Sequence, residues 1–457
     1  MSMDAKLSRQ SLHGEWTSRW HFILAATGAA VGLGNIWKFP YMVGKNGGGA
    51  FVLFYMLCVA LIGIPVMMAE IMVGRRGRRN PAHSMALFAK EANRSHHWQW
   101  VGYITIAASL LILSYYPVVA GWAWAYAFKS GNSAFIGANA TSVKAMFASF
   151  IANPWHLIIW HTLVMLVTGF IVARGIKKGL ERAICWLFPL MVAMLCVLVG
   201  YMMHSDFFDM ALQFLFKPHF SQLTPHSMLM AMGQAFFSLS LATGSIMMYG
   251  AYLPQKTSIA QATIAIALVD TGIALLAGLA IFPIVFAFQL EPSAGASLIF
   301  QTLPIAFGNM PHGVLFGTLF FIMLVFAAIT SSISFLEPSV AWLIETKQIT
   351  RPKATLFISF IIWLLGLVTL LSFNEWKNIT FKGLTIFQSL DYLTANIMLP
   401  LGGLGIALFV AWFVPRDTVK IELQLHNNYL FKTWYLCIRY FSIIAIVLVF
   451  AKSSGII

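Results

Sequence analysis

The feature that most restricts what this chain can fold into is its hydropathy. Apolar runs of about 20 residues, each long enough to cross a bilayer as a helix, recur from end to end. They fall at roughly 21–44, 50–73, 99–128, 155–173, 183–203, 228–252, 259–289, 314–344, 354–373, 384–413 and 434–451. Lipid cannot hydrogen-bond a free backbone, so such runs predict an all-α polytopic membrane protein with about 11 transmembrane helices. Composition agrees. Apolar residues make up 59% of the chain and charged residues 10%, against about 25% charged in a soluble domain. The whole of 1–457 reads as a single transmembrane domain.

The formal net charge of +14 would suggest nucleic acid on a soluble protein. Here the cations fall in short loops between apolar runs, where they report topology. Arg75, Arg76, Arg78, Arg79, Lys90 and Arg94 fall in one loop, and Arg174, Lys177, Lys178 and Arg182 in another. Lys347, Arg351 and Lys353, then Arg416, Lys420 and Lys432, follow the same alternation. The intervening loops hold few, such as Lys129, Lys144 and Lys217. The bias predicts a cytoplasmic N-terminus, and the odd number of spans places the C-terminus outside. The polar leader carries no cleavage signal, so the first run is expected to remain a span. The expected location is a bacterial inner membrane, with the lipid bilayer as surroundings and no nucleic acid or obligatory protein partner implied. Cys58, Cys185, Cys196 and Cys437 lie in apolar segments and read as small buried hydrophobes.

Two runs are interrupted. The first contains Gly28-Ala-Ala-Val-Gly-Leu-Gly-Asn35, crowded with glycine and carrying an amide at membrane depth. The sixth contains Ser238-Leu-Ser-Leu-Ala-Thr-Gly244. Backbone that leaves the helical ladder inside a membrane frees carbonyls and amides, and is tolerated where it lines a cavity. The two interruptions lie an odd number of spans apart, which reverses the direction of crossing. That pattern predicts inverted repeats over approximately 21–203 and 228–413, with 434–451 outside them, and broken helices meeting at a central site. Residues 290–306 read as a short helical or re-entrant cap, or as an ordinary loop. Residues 129–155 form a longer loop without a clear signal.

Asp270 lies inside the apolar run from Ile264 to Phe288. A carboxylate at mid-helix costs on the order of 3 kcal/mol unless it is paired or bound to a cation. It is read as a cation ligand, the alternative being a protonated or snorkelling side chain.

Several motifs carry a family resemblance. Val31-Gly-Leu-Gly-Asn35, Phe39-Pro-Tyr41, Asn46-Gly-Gly-Gly-Ala-Phe51 and Gly63-Ile-Pro65 leading to Glu70 and Gly74-Arg75 resemble the neurotransmitter:sodium symporter family, in its bacterial amino-acid transporter branch. Gly233-Gln-Ala-Phe-Phe-Ser-Leu-Ser-Leu241 and Ala327-Ala-Ile-Thr-Ser-Ser332 match it in order. The resemblance implies a LeuT-type fold with a 5+5 inverted repeat, unwound first and sixth spans, and sodium-driven uptake of an amino acid or amine-like solute by alternating access.

By the same resemblance two sodium ions are expected. One site would use the Ala30 carbonyl, Asn35, Ser238, Asp270 and the substrate carboxylate. The other would use the Gly28, Val31 and Ala327 carbonyls with Thr330 and Ser331. Oxygen ligands of this kind suit a hard cation, although the hydroxyls of 330–332 could instead bond back to the preceding turn. For the substrate, amides near Leu33 and Gly34 and the Tyr116 hydroxyl would take the carboxylate. Carbonyls near Ala30 and Phe237, with Ser240, would take the ammonium, and Ile112, Phe237, Thr243, Ser331 and Phe335 would line the side-chain pocket. Tyr116 and Phe237 could also be plain packing residues.

Lys38 and Asp391 occupy outer-gate positions, where Lys lacks the planar fork of the more usual Arg. Trp16 and Glu345 resemble the inner gate. His13 stands where an Arg is usual, which makes that salt bridge doubtful or pH-sensitive. Gly179 and Pro189 resemble a hinge at which the fifth span unwinds, or a kink that serves packing.

The family's chloride-independent members carry an acidic residue one turn after the position of Asp270, where this chain has Ala274. Asp270 is read as supplying that charge itself, which predicts independence from chloride. Gly32 stands where amine carriers have Asp, which favours an amino acid, hydrophobic or aromatic. Alternatives are a betaine- or taurine-like zwitterion, an amine, or a channel or receptor on the same scaffold. No HExxH motif, Cys/His cluster or convincing nucleophile–base pair points to an enzyme.

Overall fold

The structure, a computed structural model, describes residues 11–289, 298–425 and 427–454. Each apolar run of the sequence is helical. Among the described residues nine helices, from Gly49–Gly77 to Asn428–Ser453, are long and apolar enough to span, and Arg19–Ala30 with Gly34–Lys45 makes a further span bent by 54°. The sixth run is split into Pro225–Ser238 and Ser245–Ala251. The described helices make an integral membrane protein whose first and sixth spans are broken.

Local chemistry starts these helices. Ser18 accepts from the His21 amide, Thr224 from Ser227 and Ser258 from Gln261, each satisfying an amide that the first helical turn leaves free. Pro154 and Pro225 sit in the first turn, where the missing N–H costs nothing.

Both breaks fall where the small and polar residues predict. The first helix ends at Ala30, and Val31 turns extended with ψ 107°. In the sixth, Ser240 (φ 50°), Ala242 (φ 60°) and Gly244 (φ 75°) lie in the left-handed region. Each non-glycine there costs roughly 1–2 kcal/mol, so the break is held by tertiary bonds. Ala242 N–H donates to Glu70 Oε1 at 2.6 Å, and the Ser240 hydroxyl to the Ala29 carbonyl at 2.9 Å. One break thereby fastens the other.

The eighth span, Gly313–Lys347, is the central post, buried continuously over 327–341 and packed along Gln99–Gly131. Pro154–Ala173 and Ile176–Met202 lie outside it and expose Trp155, Leu166, Phe170 and Trp186 by 59–74%. These large apolar side chains face lipid.

One loop holds more structure than the sequence reading assigned, and another matches its helical alternative. Ala140–Ala152 is a helix opened by a reciprocal Asn139–Ser142 capping box. Of the segment 290–306, residues 290–297 lie outside the described residues. The remainder is helical, as Leu298–Thr302 and Leu303–Asn309. The hinge expected at Gly179 and Pro189 is wound here. A π-turn, Ile176–Glu181, runs into Arg182–Met202, which contains Pro189. Gly179 also permits a close approach, since a Cβ there would lie 2.1 Å from the Ile171 carbonyl oxygen.

Candidate substrate and ion site

The breaks wall a cavity of about 770 Å³. All ten residues expected around the substrate line it: Ala30, Leu33, Gly34, Ile112, Tyr116, Phe237, Ser240, Thr243, Ser331 and Phe335. Leu33 N–H donates to the Tyr116 hydroxyl at 3.4 Å, so an amide and a phenol converge at the start of the second half-helix. The Tyr116 and Phe335 rings meet edge to face, with centroids 5.7 Å apart. Gly32 has no room for a side chain, because a Cβ would sit 2.6 Å from Ser331 Oγ and 2.9 Å from the Tyr116 hydroxyl.

Beside the cavity, three groups from three spans converge. Asn35 Nδ2 donates to Asp270 Oδ1 at 2.8 Å and to Ser238 Oγ at 3.1 Å. Ser238 Oγ donates to Asp270 Oδ2 at 2.6 Å. All three residues are buried, and Asp270 is fully so. Among the described residues no guanidinium or ammonium pairs with this carboxylate, which is met by the Asn35 amide nitrogen and the Ser238 hydroxyl; a buried carboxylate with a hydroxyl and a side-chain amide is chemistry suited to a small hard cation. Sequence reasoning missed a fourth member. The Tyr55 hydroxyl, on the second span, donates to Ser238 Oγ at 3.1 Å. In sequence Tyr55 is one aromatic in a uniformly apolar run and carries no signal.

At the residues of the second expected cluster the first span meets the eighth. Ser331 Oγ donates to the Val31 carbonyl at 3.4 Å, and a Cβ on Gly28 would lie 3.6 Å from Thr330 Cβ. Thr330 Oγ1 donates to the Ala327 and Phe326 carbonyls at 3.0 and 3.1 Å, and Ser332 to Ala328 at 2.8 Å. The run bonds back to its own helix, while Ser331 reaches across to the first span.

The end of the cavity nearer the N-terminal segment is sealed. Trp16 is buried and donates its indole N–H to the Tyr249 carbonyl at 3.1 Å. His13 Nε2 lies 2.9 Å from Glu345 Oε1, so this pair does form. Glu345 is also met by His83 Nδ1 at 2.8 Å, by the Asn80 amide N–H at 2.7 Å and by Asn80 Nδ2 at 2.6 Å. Neither Asn80 nor His83 was foreseen. Arg78 pairs with Glu15 at 3.1 Å beside them, its guanidinium pushed below its ordinary value by burial. Behind this layer Arg351 and Tyr252 both bond to Glu337.

The opposite end is open. Lys38 and Asp391 both line the cavity, yet no ion pair joins them. Lys38 Nζ instead sits 3.9 Å from the Phe237 ring centroid. The expected outer-gate bridge is thus absent from this conformation, and the cation is held by an aromatic face.

A helical membrane protein with a polar, cation-suited cluster beside a cavity between two broken spans belongs by architecture with the secondary transporters. Comparison with known proteins agrees. The family profile described as Sodium:neurotransmitter symporter family matches residues 13–140 and 133–455. The sodium-dependent transporter YhdH of Bacillus subtilis is 36% identical over 446 residues, covering 97% of this chain and 98% of its own. The human sodium- and chloride-dependent GABA transporter 2 is 25% identical over 454 residues, covering 87% of this chain and 73% of that one. The crystal structure of MhsT in complex with L-phenylalanine superposes with a TM-score of 0.88 at 40% identity, covering 96% of this chain and 99% of that one. The chain belongs to the sodium:neurotransmitter symporter family and is a sodium-dependent transporter.

Proposed function

We propose that this transporter imports an amino acid, hydrophobic or aromatic, by alternating access, with two sodium ions and without chloride. The observation that carries the reading is the position of the Asn35–Ser238–Asp270 cluster beside a cavity walled by both helix breaks. The first sodium ion would bind Asp270, Ser238, the Ala30 carbonyl, the substrate carboxylate and Asn35, whose amide turns its oxygen inward. The second would sit among the Gly28, Val31 and Ala327 carbonyls with Thr330 and Ser331.

The amides of Leu33 and Gly34 and the Tyr116 hydroxyl take the substrate carboxylate. The Ala30 and Phe237 carbonyls and Ser240 take the ammonium. Ile112, Phe237 and Phe335 are suited to an apolar side chain, and 770 Å³ accommodates an aromatic one. The phenylalanine bound to MhsT supports this class. The crowding at Gly32 argues against an amine carrier's acidic residue at that position. Trp16 and Glu345 form the inner gate, Lys38 and Asp391 the outer one, and Gly179–Pro189 is the segment that unwinds when the inner side opens. The basic loops support a cytoplasmic N-terminus in a bacterial inner membrane.

Chloride independence follows from charge. Asp270 places a fixed carboxylate beside the first sodium ion, so no mobile anion is needed to balance it. Replacing chloride by gluconate at constant sodium is expected to leave uptake into proteoliposomes within about 20% of its starting rate, less than 0.2 kcal/mol on the transport step. Loss of uptake would overturn this part of the proposal.

A further inference from the structure

The last two spans carry charge that the transport site does not use. Ile386–Phe413 ends at Trp412 and Phe413, both exposed. Beside it runs Asn428–Ser453, whose π-turn Cys437–Ser442 carries Arg439. A guanidinium in a spanning segment is costly without a partner. Arg439 Cζ lies 4.0 Å from the Trp412 ring centroid and 5.6 Å from that of Tyr435. One of its terminal nitrogens donates to the Tyr435 hydroxyl at 3.2 Å, but its Nε is buried and unpartnered. Arg416 Cζ lies 4.9 Å from the same Tyr435 ring and 5.4 Å from Phe431. Two guanidiniums thus share one phenol ring. Among the described residues no carboxylate pairs with either, and the nearby Glu422 is taken by Arg75 and Arg76.

Stacking on an aromatic face uses the plane of a guanidinium and leaves N–H groups at its edge for an anion, here those of Arg416 and the terminal nitrogen of Arg439 that does not bond Tyr435. The surroundings decide which anion. Leu436, Tyr440 and Phe441 are 48–49% exposed and flank the pair, as apolar side chains on a lipid-facing helix do. An occupant that satisfies both features has a phosphodiester and hydrocarbon chains. A zwitterionic lipid would bring its own ammonium to a patch already holding two cations, whereas an acidic lipid brings net negative charge.

We propose that Arg416, Tyr435 and Arg439 form a binding site for the headgroup of an acidic phospholipid, with its phosphate between the two guanidiniums and its chains along Leu436, Tyr440 and Phe441. The site adjoins moving parts of the transporter. Asn428–Ser453 packs on Pro225–Ser238, the outer half of the broken sixth span, and the Ser442 hydroxyl donates to the Leu61 carbonyl of the second at 3.4 Å. A lipid held here steadies the helix that backs the sixth-span break.

The test compares thermal unfolding of the whole transporter in nanodiscs of phosphatidylcholine alone and of phosphatidylcholine with phosphatidylglycerol. Phosphatidylglycerol is expected to raise the midpoint by about 3 °C, the size of effect a ligand well above its Kd produces. The double variant Arg416→Gln/Arg439→Gln is expected to lose that difference, and native mass spectrometry to show fewer retained phosphatidylglycerol molecules. Should the double variant not fold, Arg416→Gln alone, at an exposed position, is expected to lose at least about half of it. Equal midpoints in the two lipids overturn the proposal, as does a difference that survives in the variants. Inorganic phosphate reproducing the shift in phosphatidylcholine would equally overturn it, by showing a site for a free anion.

Discussion

On the N-terminal side of the cavity Glu345 is gripped by His13, His83 and both nitrogens of Asn80, with Trp16 and the Arg78–Glu15 pair packed around it. On the other side Lys38 and Asp391 face a shared cavity with no bond between them. The two ends are made of similar residue types, charged groups set at the ends of helices, yet one is a closed network and the other a separated pair. The difference shows where the work of transport falls. Opening the sealed end breaks several charge-assisted bonds together, whereas closing the open end requires one cation to leave the Phe237 ring for a carboxylate. Ions and substrate can drive such a cycle only through unequal affinity for its two states. The clusters joining the first span to the sixth, seventh and eighth are placed to supply that inequality.

The comparison breaks most visibly at Glu345. Removing its carboxylate in Glu345→Ala costs about 2–3 kcal/mol of charge-assisted bonding, so the sealed end should open on the order of 30–150-fold more often. Amide hydrogen exchange across residues 11–18 should accelerate by that factor, and unchanged exchange would show that the network is ornamental. The smaller effect is at the open end. Lys38→Gln breaks no ion pair in this conformation and should change substrate affinity by no more than about threefold, under 0.7 kcal/mol, by scintillation proximity binding.

Much of this was legible in sequence for physical reasons. Lipid permits few ways to leave a helix, so glycines and hydroxyls at 28–35 and 238–244 marked the breaks. A lone carboxylate in an apolar run is so costly that Asp270 stood out, and family resemblance named its neighbours. What stayed hidden depends on distant pairings. Nothing local ties residues 80 and 83 to 345, and Tyr55 looks like any buried aromatic. The helix at 140–152 carries a readable sign, Asn139 three residues before Ser142. At Gly179 a second use of the glycine, admitting the Ile171 carbonyl, depends on a packing contact that the sequence does not display. The separation of Lys38 from Asp391 belongs to one conformation of the cycle, which no sequence pattern encodes.

The central claim is that sodium and an amino acid meet between the two helix breaks, with Asp270 as the shared anchor. Uptake of L-phenylalanine into proteoliposomes, driven by a sodium gradient, tests it directly in wild type and Asp270→Ala. The account predicts accumulation in wild type that disappears when potassium replaces sodium, and falls on the order of 100-fold in the variant, about 2.8 kcal/mol. Wild-type rates in Asp270→Ala, or accumulation that ignores the sodium gradient, would contradict it.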